Sequence, residues 1–290
     1  MTKVSLRFYG DHLVRAAWDE EGGEWLFSLV DVVGAVNGED NHERNRNYWK
    51  YLKGKLRRED PQLVSAANRL KLEAPDGKRR LTDVGNAALV AELASHLPSQ
   101  RALPFLEWLT GGENSIDGRS RAKAYSLFDN GALDALEVGT IRGLRQIHAY
   151  LFGGLYDFAG QVRRCNIAKG GFRFAAAAFL DSTLVRIERM PDNSFDEALT
   201  KYVEMNVAHP FMEGNGRTMR IWLDLMLRRA IGMCVDWSRV DKGAYLDAMR
   251  RSVTDDRPLR DLLRNALTPR INDREMFMKG IDYSYYYEET

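Results

Sequence analysis

Apolar and polar positions alternate through the first quarter of the chain and then recur at helical intervals through most of the rest. Val4 to Phe8 alternates, Gly10-Asp11 breaks the run, and Leu13 to Trp18 reads as its hairpin partner. Asp19-Glu20-Glu21-Gly22-Gly23 is a turn, after which Glu24 to Phe27 offers a third short strand. Ser28 can cap a helix starting at Leu29, with Val30, Val33 and Val36 along one side. Further on, Pro75-Asp76-Gly77 is a turn, and Thr82 and Asp83 offer a cap for a helix running through Leu93. These signals predict a small α+β domain over residues 1–110. Gly111 to Gly118, opening on two adjacent glycines, is the expected linker. From Arg119 the strand signals nearly vanish, and a multidomain chain with an all-helical second part, residues 119–290, is predicted. Asn130 to Gly139 and Thr140 to Phe152 read as helices, with Ile141, Leu144, Ile147 and Leu151 in register and His148 beside that stripe as a packing histidine. Phe195 to Val207 is strongly amphipathic. Ile221 to Ile231 follows with Gly232 as its stop, and Tyr245 to Ser252 and Pro258 to Ala266 complete the bundle. Two short extended runs around Lys169-Gly170-Gly171-Phe172 predict a β-hairpin within the helices.

Composition narrows the class without selecting a function. The chain has 290 residues, a net charge of +1 and ordinary hydrophobic and charged fractions, so no global field marks it as a nucleic-acid or membrane binder. Two cysteines, Cys165 and Cys234, are too few for a disulfide framework or a cysteine zinc site. The N-terminal residues lack the apolar core of a signal peptide, and no segment approaches the roughly 18 apolar residues of a membrane span, so the chain reads as cytoplasmic with no membrane partner.

Chemistry concentrates in one run, His209-Pro-Phe-Met-Glu213-Gly214-Asn215-Gly216-Arg217-Thr-Met-Arg220, between two apolar helical segments. Gly214 and Gly216 let backbone approach an anion closely, and the N-terminus of the following helix aims N–H groups at it. Arg217 and Arg220, three apart, can both reach one polyphosphate. Glu213 is a hard oxygen ligand suited to Mg²⁺ bridging phosphates. His209 is the group whose ordinary pKa suits a general base near neutrality. These are the parts of a nucleotide-dependent transferase.

The same run resembles the Fic family signature, H-P-F-x-[D/E]-G-N-G-R-x-x-R, with every defined position filled. The resemblance implies a helical domain that moves AMP from ATP to a Tyr, Ser or Thr hydroxyl of a protein target. In those terms His209 deprotonates the hydroxyl, Glu213 holds Mg²⁺, and the loop amides with Asn215 hold phosphates. Arg217 serves the β-phosphate region, Arg220 serves the γ-phosphate, and Phe211 anchors the loop. The hairpin at Lys169, Gly170, Gly171 and Phe172 is similar to the Fic flap that docks the target by main-chain pairing. Ser284 and Glu288 fit the first part of the inhibitory pattern [S/T]-x-x-x-E-[G/N], and Glu289 departs from its last position. The resemblance therefore implies that segment 281–290 is a brake in which Glu288 pairs with Arg220. Tyr285 and its neighbours carry hydroxyls suited to self-modification. The alternative uses of this tyrosine-rich end are packing for stability or contact in a homo-oligomer.

The N-terminal part resembles the BRO-N domain of phage antirepressors. The resemblance rests on Val14-Arg15, Trp18 to Glu21, Trp25 to Ser28, Val30 to Val33, Tyr48-Trp49, Leu52-Lys53, Arg69 to Leu72, Asp76 to Lys78 and Arg80 to Val84. It implies DNA binding, for which the basic runs at residues 44–58 and 78–80 supply phosphate contacts. The bland alternative is a solvated helix face with Tyr48, Trp49 and Leu52 turned inward. Two functions are thus open: a protein AMP-transferase, or a DNA-binding regulator whose Fic domain senses nucleotide or binds a partner. A module that only binds has no need of His209.

Overall fold

The computed structural model describes residues 4–74, 77–97, 99–111, 115–169 and 172–288. Residues Pro75, Asp76, Gly170, Gly171 and Glu289, each singled out above, lie outside the described residues. The chain divides into two compact units, Met1–Gly118 and Arg119–Thr290.

The first unit opens on three strands, β1 (Val4–Tyr9), β2 (His12–Asp19) and β3 (Glu24–Ser28). There follow α1 (Leu29–Asn37), α2 (His42–Glu59), the short α3 (Pro61–Ser65), β4 (Asn68–Glu73), β5 (Arg79–Gly85), α4 (Ala87–Ala94) and α5 (Ser99–Gly111). The strands form one antiparallel sheet in the order β1-β2-β3-β5-β4. Ser28 caps α1, its Oγ accepting the Asp31 N–H at 3.4 Å. Val14, Ala16 and Phe27 of the sheet meet Val32, Val33 and Val36 of α1, Trp49, Leu52 and Leu56 of α2, and Phe105 of α5. Inside this core Arg15 grips Asp31 with two parallel bonds, Nε to Oδ2 at 2.6 Å and Nη2 to Oδ1 at 2.7 Å. Both side chains are buried, so removing one partner would strand a charge at a cost of roughly 3–5 kcal/mol.

Two expectations fail here. Thr82 and Asp83 do not cap a helix; they lie in β5, and Asn86 caps α4 by accepting the Leu89 N–H at 2.9 Å. Asp83 instead accepts from Trp49 Nε1 (2.8 Å), Lys53 Nζ (2.6 Å) and Arg69 Nε (3.0 Å), tying α2 to the β4–β5 ribbon. On α2, Trp49 and Leu52 pack inward as the bland alternative required, whereas Tyr48 faces out. The expected linker is also shorter than 111–118. Gly111 still belongs to α5, residues 112–114 lie outside the described residues, and Ile116 begins the next helix.

Helix α6 (Ile116–Asp129) starts just before the boundary, and the second unit continues with α7 (Ile141–Phe152), α8 (Ala177–Glu188), α9 (Phe195–Ala208), α10 (Asn215–Ile231), α11 (Lys242–Arg251), α12 (Arg257–Asn265) and α13 (Arg274–Tyr286). Two short antiparallel pairs interrupt it: β6 (Ala168–Lys169) with β7 (Phe172–Arg173), and β8 (Cys234–Val235) with β9 (Leu267–Thr268). The second pair has no counterpart in the sequence reading. Asn130 to Gly139 is not a helix. Gly131 (φ 72°) and Gly139 (φ 76°) are both left-handed, and a single 3-10 turn, Ala132–Ala135, separates them. The bundle is organised on α10, which packs on both α7 and α9. Its Trp222, Leu223 and Met226 are fully enclosed with Leu144, Ile147 and Leu151 of α7 and Leu199, Tyr202 and Met205 of α9. The loop joining α9 to α10 is the motif, held at both ends by buried helices. No described helix is long and apolar enough to cross a membrane.

Candidate active site

The site begins where α9 must stop. Pro210 disfavours helical backbone at the preceding residue, and His209 turns left-handed (φ 48°, ψ 65°) to end the helix. It is the one non-glycine residue with positive φ among the described residues, a conformation that costs on the order of 1–2 kcal/mol. Its N–H still bonds the Met205 carbonyl at 2.9 Å, so the turn closes α9 and throws the imidazole clear of the helix. The Asn206 carbonyl lies 3.2 Å from Nδ1 and can only accept, so Nδ1 carries the proton and Nε2 keeps the lone pair. Phe174 stacks on the ring at 3.7 Å between centroids. Burial pushes the His209 pKa down to about 4, so the imidazole is neutral at physiological pH.

The loop then folds over its own anchor. Phe211 is fully buried and stacks on His148 at 3.9 Å between centroids. Asn215 pins Phe211 from both sides: Oδ1 accepts the Phe211 N–H at 2.9 Å and Nδ2 donates to the Phe211 carbonyl at 2.8 Å. The Asn215 side chain, expected on phosphate, is therefore engaged in closing the loop. His148 does more than pack. Its Nδ1 accepts the Gly160 N–H at 2.8 Å, so Nε2–H donates to the Glu213 carbonyl at 2.9 Å. Gly214 is left-handed (φ 76°), and a Cβ there would collide with the Phe152 ring. Only glycine fits that turn into α10.

Beyond it, the first turns of α10 carry Arg217 and Arg220, and Ser284 and Glu288 lie against the second of these. Arg220, 3% exposed, donates from Nε to Ser284 Oγ and from Nη2 to the Ser284 carbonyl, each at 2.7 Å. Its Nη2 also donates to Glu288 Oε1 at 2.5 Å. The Glu288 carboxylate lies so close over Gly216 that a Cβ at that position would strike it. Lys169 of β6 reaches Glu288 Oε2 at 3.6 Å, so in this state the lysine expected to serve target docking faces the tail. Burial alone would raise the Glu288 pKa, but Arg220, Lys169 and Arg217 outweigh it and hold the carboxyl below its ordinary range.

The tail's aromatics enclose both arginines. The Arg217 guanidinium lies 5.1 Å from the ring centroids of both Phe152 and Tyr285, and its Nη2 donates to Glu213 Oε1 at 3.3 Å. Arg220 lies between Tyr245 (5.8 Å) and Tyr287 (5.4 Å). Tyr285 donates to Ser120 Oγ at 2.8 Å, and the Tyr287 hydroxyl bonds the Trp237 and Val240 carbonyls at 2.7 and 2.8 Å. Both hydroxyls are buried, which corrects the expectation that Tyr285 is presented for modification; only Tyr286 of the three is partly open. Glu213, with a half-exposed side chain, is the carboxylate carried by the loop itself, and no cluster of three or more metal-ligating groups exists among the described residues.

The Fic/DOC family profile matches residues 139–227, which contain α7, the hairpin, α9 and the motif. The protein adenylyltransferase VbhT of Bartonella schoenbuchensis is 32% identical over 154 residues, 48% of this chain and 32% of that protein. The probable protein adenylyltransferase y4lH of Sinorhizobium fredii is 31% identical over 144 residues, 45% of this chain and 74% of that protein. The chain thus spans about a third of the first relative and about three quarters of the second. Among solved structures, the N-terminal Fic domain of a Bartonella effector protein from Bartonella sp. AR 15-3 aligns with a TM-score of 0.47 at 17% identity, over 55% of this chain and 84% of that one. The chain belongs to the Fic/DOC family.

Both imidazoles, His148 fully buried and His209 half-buried, should titrate far from the ordinary histidine value of 6.5. His148 and His209 are each pushed down to about 4 by burial and are neutral in the folded state. The unfolded chain takes up protons first as pH falls, so their contribution to stability is complete above 6.5 and is lost on descending towards 4. Imidazole resonances followed by NMR should show midpoints near 4, with urea midpoints declining over the same window. Midpoints near 6.5 would contradict the burial described.

Proposed function

We propose that this protein transfers AMP from ATP to a hydroxyl side chain of a protein target and that its own C-terminal segment restrains the reaction. The observation that carries the reading is the Glu288 carboxylate seated against Arg220 and Gly216 at the start of α10, where a nucleotide phosphate would sit. In the transfer, the target oxygen attacks the α-phosphorus and the P–O bond to the β-phosphate breaks. The hydroxyl proton passes to His209 Nε2, and pyrophosphate leaves. The amides of Gly214, Asn215 and Gly216 and the charges of Arg217 and Arg220 hold the phosphates, so catalysis is chiefly positioning and electrostatic. Glu213 would hold Mg²⁺. One hard oxygen at the mouth of the loop fits an ion that takes its remaining ligands from phosphates and water. When bound, that ion supplies charge neutralisation at the phosphates.

The brake acts by occupancy. With Glu288 on Arg220 the γ-phosphate loses its arginine, and the α-phosphate is not held in line with the attacking oxygen. Segment 281–290 then belongs to the C-terminal inhibitory-helix type, Ser284 setting its register on the same guanidinium. The strand pair β6–β7 would dock the target's main chain beside His209, with Lys169 freed once the tail leaves. In purified protein given Mg²⁺ and α-³²P-ATP, Glu288→Gly should raise labelling at least tenfold, and His209→Ala in that background should abolish it. Equal labelling with and without Glu288→Gly would remove the brake. Labelling that survives His209→Ala would remove the assigned base.

A second activity is proposed for the first unit, the BRO-N-like DNA binding. Between His42 and Asp83 the chain holds twelve Lys and Arg against six Asp and Glu, and the Asp83 hub ties α2 to the β4–β5 ribbon on which most of the remainder lie. Arg46, Lys50, Arg57 and Arg58 are exposed on α2 beside Tyr48 and Tyr51, as are Lys78, Arg79 and Arg80 at the start of β5. Labelled duplex DNA should bind with an affinity that falls steeply with salt, and K50E/R57E/R58E should flatten that dependence. Absence of wild-type binding at low salt would remove DNA as the partner. If labelling also fails in every variant that still binds ATP, the regulator reading takes precedence.

A further inference from the structure

Next to the motif lies a buried cation to which neither the family signature nor the transfer chemistry above assigns a part. Arg163 is 3% exposed, and it forms no ion pair among the described residues. Every bond it makes is to a main-chain carbonyl. Its N–H donates to Pro210 O at 2.8 Å and its Nε to His209 O at 2.8 Å. Nη1 donates to Cys165 O at 2.6 Å, and Nη2 donates to Ala175 O at 2.6 Å and to Ala208 O at 3.0 Å. These carbonyls come from two places. Ala208, His209 and Pro210 are the end of α9 and the strained turn that follows it. Cys165 and Ala175 flank the segment that carries β6, β7 and Phe174.

Such a location suits a cation for two reasons. The last carbonyls of a helix have no intrahelical donors, and the negative end of the helix dipole attracts positive charge. A planar fork also presents five donors in a fixed geometry, where an ammonium offers three on a freely rotating head. The same fork therefore holds the left-handed backbone of His209 and fixes both feet of the hairpin to it. Ala175 N–H adds a bond to Val207 O at 3.0 Å, and Phe174, between that bond and β7, lies against the His209 ring.

We infer that Arg163 is the positioning residue of this site: it locks the conformation of His209 and clamps the base of the hairpin, so that the base and the target-docking strand are held in one register. Arg163 touches no reacting atom and acts through the carbonyls of its neighbours. The inference rests on His209 being the base, and its test includes an arm that does not depend on transfer. Charge and geometry also separate. Burial is the main reason the His209 imidazole resists protonation, and the Arg163 charge adds to it. Arg163→Lys keeps the charge and loses the fork; Arg163→Gln loses both.

The test places each substitution in the Glu288→Gly protein and measures three quantities: ATP affinity, the rate of self-labelling from α-³²P-ATP, and the His209 midpoint by NMR. Both variants should bind ATP within about twofold of the parent while labelling about 10²-fold more slowly, the scale of a misplaced reacting group. The main-chain shifts at His209 and Ala175 should move in both variants, while the His209 midpoint, held down mainly by burial, should stay below 6.5 in both. Should Arg163→Gln not fold, Arg163→Lys decides the matter by its rate at unchanged ATP affinity. Labelling at the parental rate in a folded variant, or a rate loss matched by lost ATP affinity, overturns the inference. If the parent itself transfers nothing, the transferase reading has failed. The His209 arm then still decides: unchanged main-chain shifts at His209 and Ala175 in Arg163→Gln would refute the clamp.

Discussion

A guanidinium withdrawn from water must find oxygen for its donors, and Arg220 takes them from the last turn of the chain. Ser284 supplies a hydroxyl and a carbonyl, and Glu288 supplies the charge. Much of the second unit's arrangement follows from satisfying that one cation. α13 must lie close enough to α10 for its C-terminal turn to reach the motif, and Tyr285 and Tyr287 fill the space on either side of the two arginines. Tyr245 closes the other face of Arg220 and bonds Tyr202 of α9 at 2.6 Å, which carries the arrangement back into the central helix pair. Removing the Glu288 carboxylate would leave the Arg220 charge buried without its counter-ion.

The geometry around His209 answers a different constraint. A side chain in the role proposed for His209 must project from a fixed point, and a residue at a helix end is the least fixed part of a helix. Here the fixing comes from three directions: Pro210 forbids continuation, the Asn206 carbonyl selects the tautomer, and Phe174 stacks on the ring. The strain of the left-handed turn persists because several independent bonds determine it together. Asn215 and His148 do for Phe211 and Glu213 what Arg163 does for His209, each tying a loop backbone group to a helix. The loop's polar backbone is satisfied by buried side chains, which is what a preorganised anion site would require.

The motif was legible in the sequence because its residues must be adjacent in the chain: histidine, carboxylate, glycines and arginines act through one loop and one helix turn. The Glu288–Arg220 contact was also legible, through a resemblance that places a serine and a glutamate four apart. What stayed hidden was non-local. Arg163 stands beside Arg164 in a run without period, yet one is buried on carbonyls and the other lies exposed against Asp181. Nothing in their spacing separates them. Asp83 reads as a helix cap by its neighbours but lies in a strand, because pairing of β5 with β4 and β3 outweighs the local signal. Asn130 to Gly139 has helical residues between two glycines, and those glycines prevailed. Asn215 was read as a phosphate ligand, whereas its amide is held by the Phe211 backbone two bonds at a time.

The most direct test is the structure of the Glu288→Gly protein crystallised with Mg²⁺ and a non-hydrolysable ATP analogue. The account requires a phosphate oxygen where the Glu288 carboxylate now sits, within hydrogen-bond reach of Arg220 and over Gly216, with the α-phosphorus facing His209 Nε2. A nucleotide bound elsewhere, or bound on this loop with its α-phosphorus turned away from His209 in the absence of the glutamate, would contradict it.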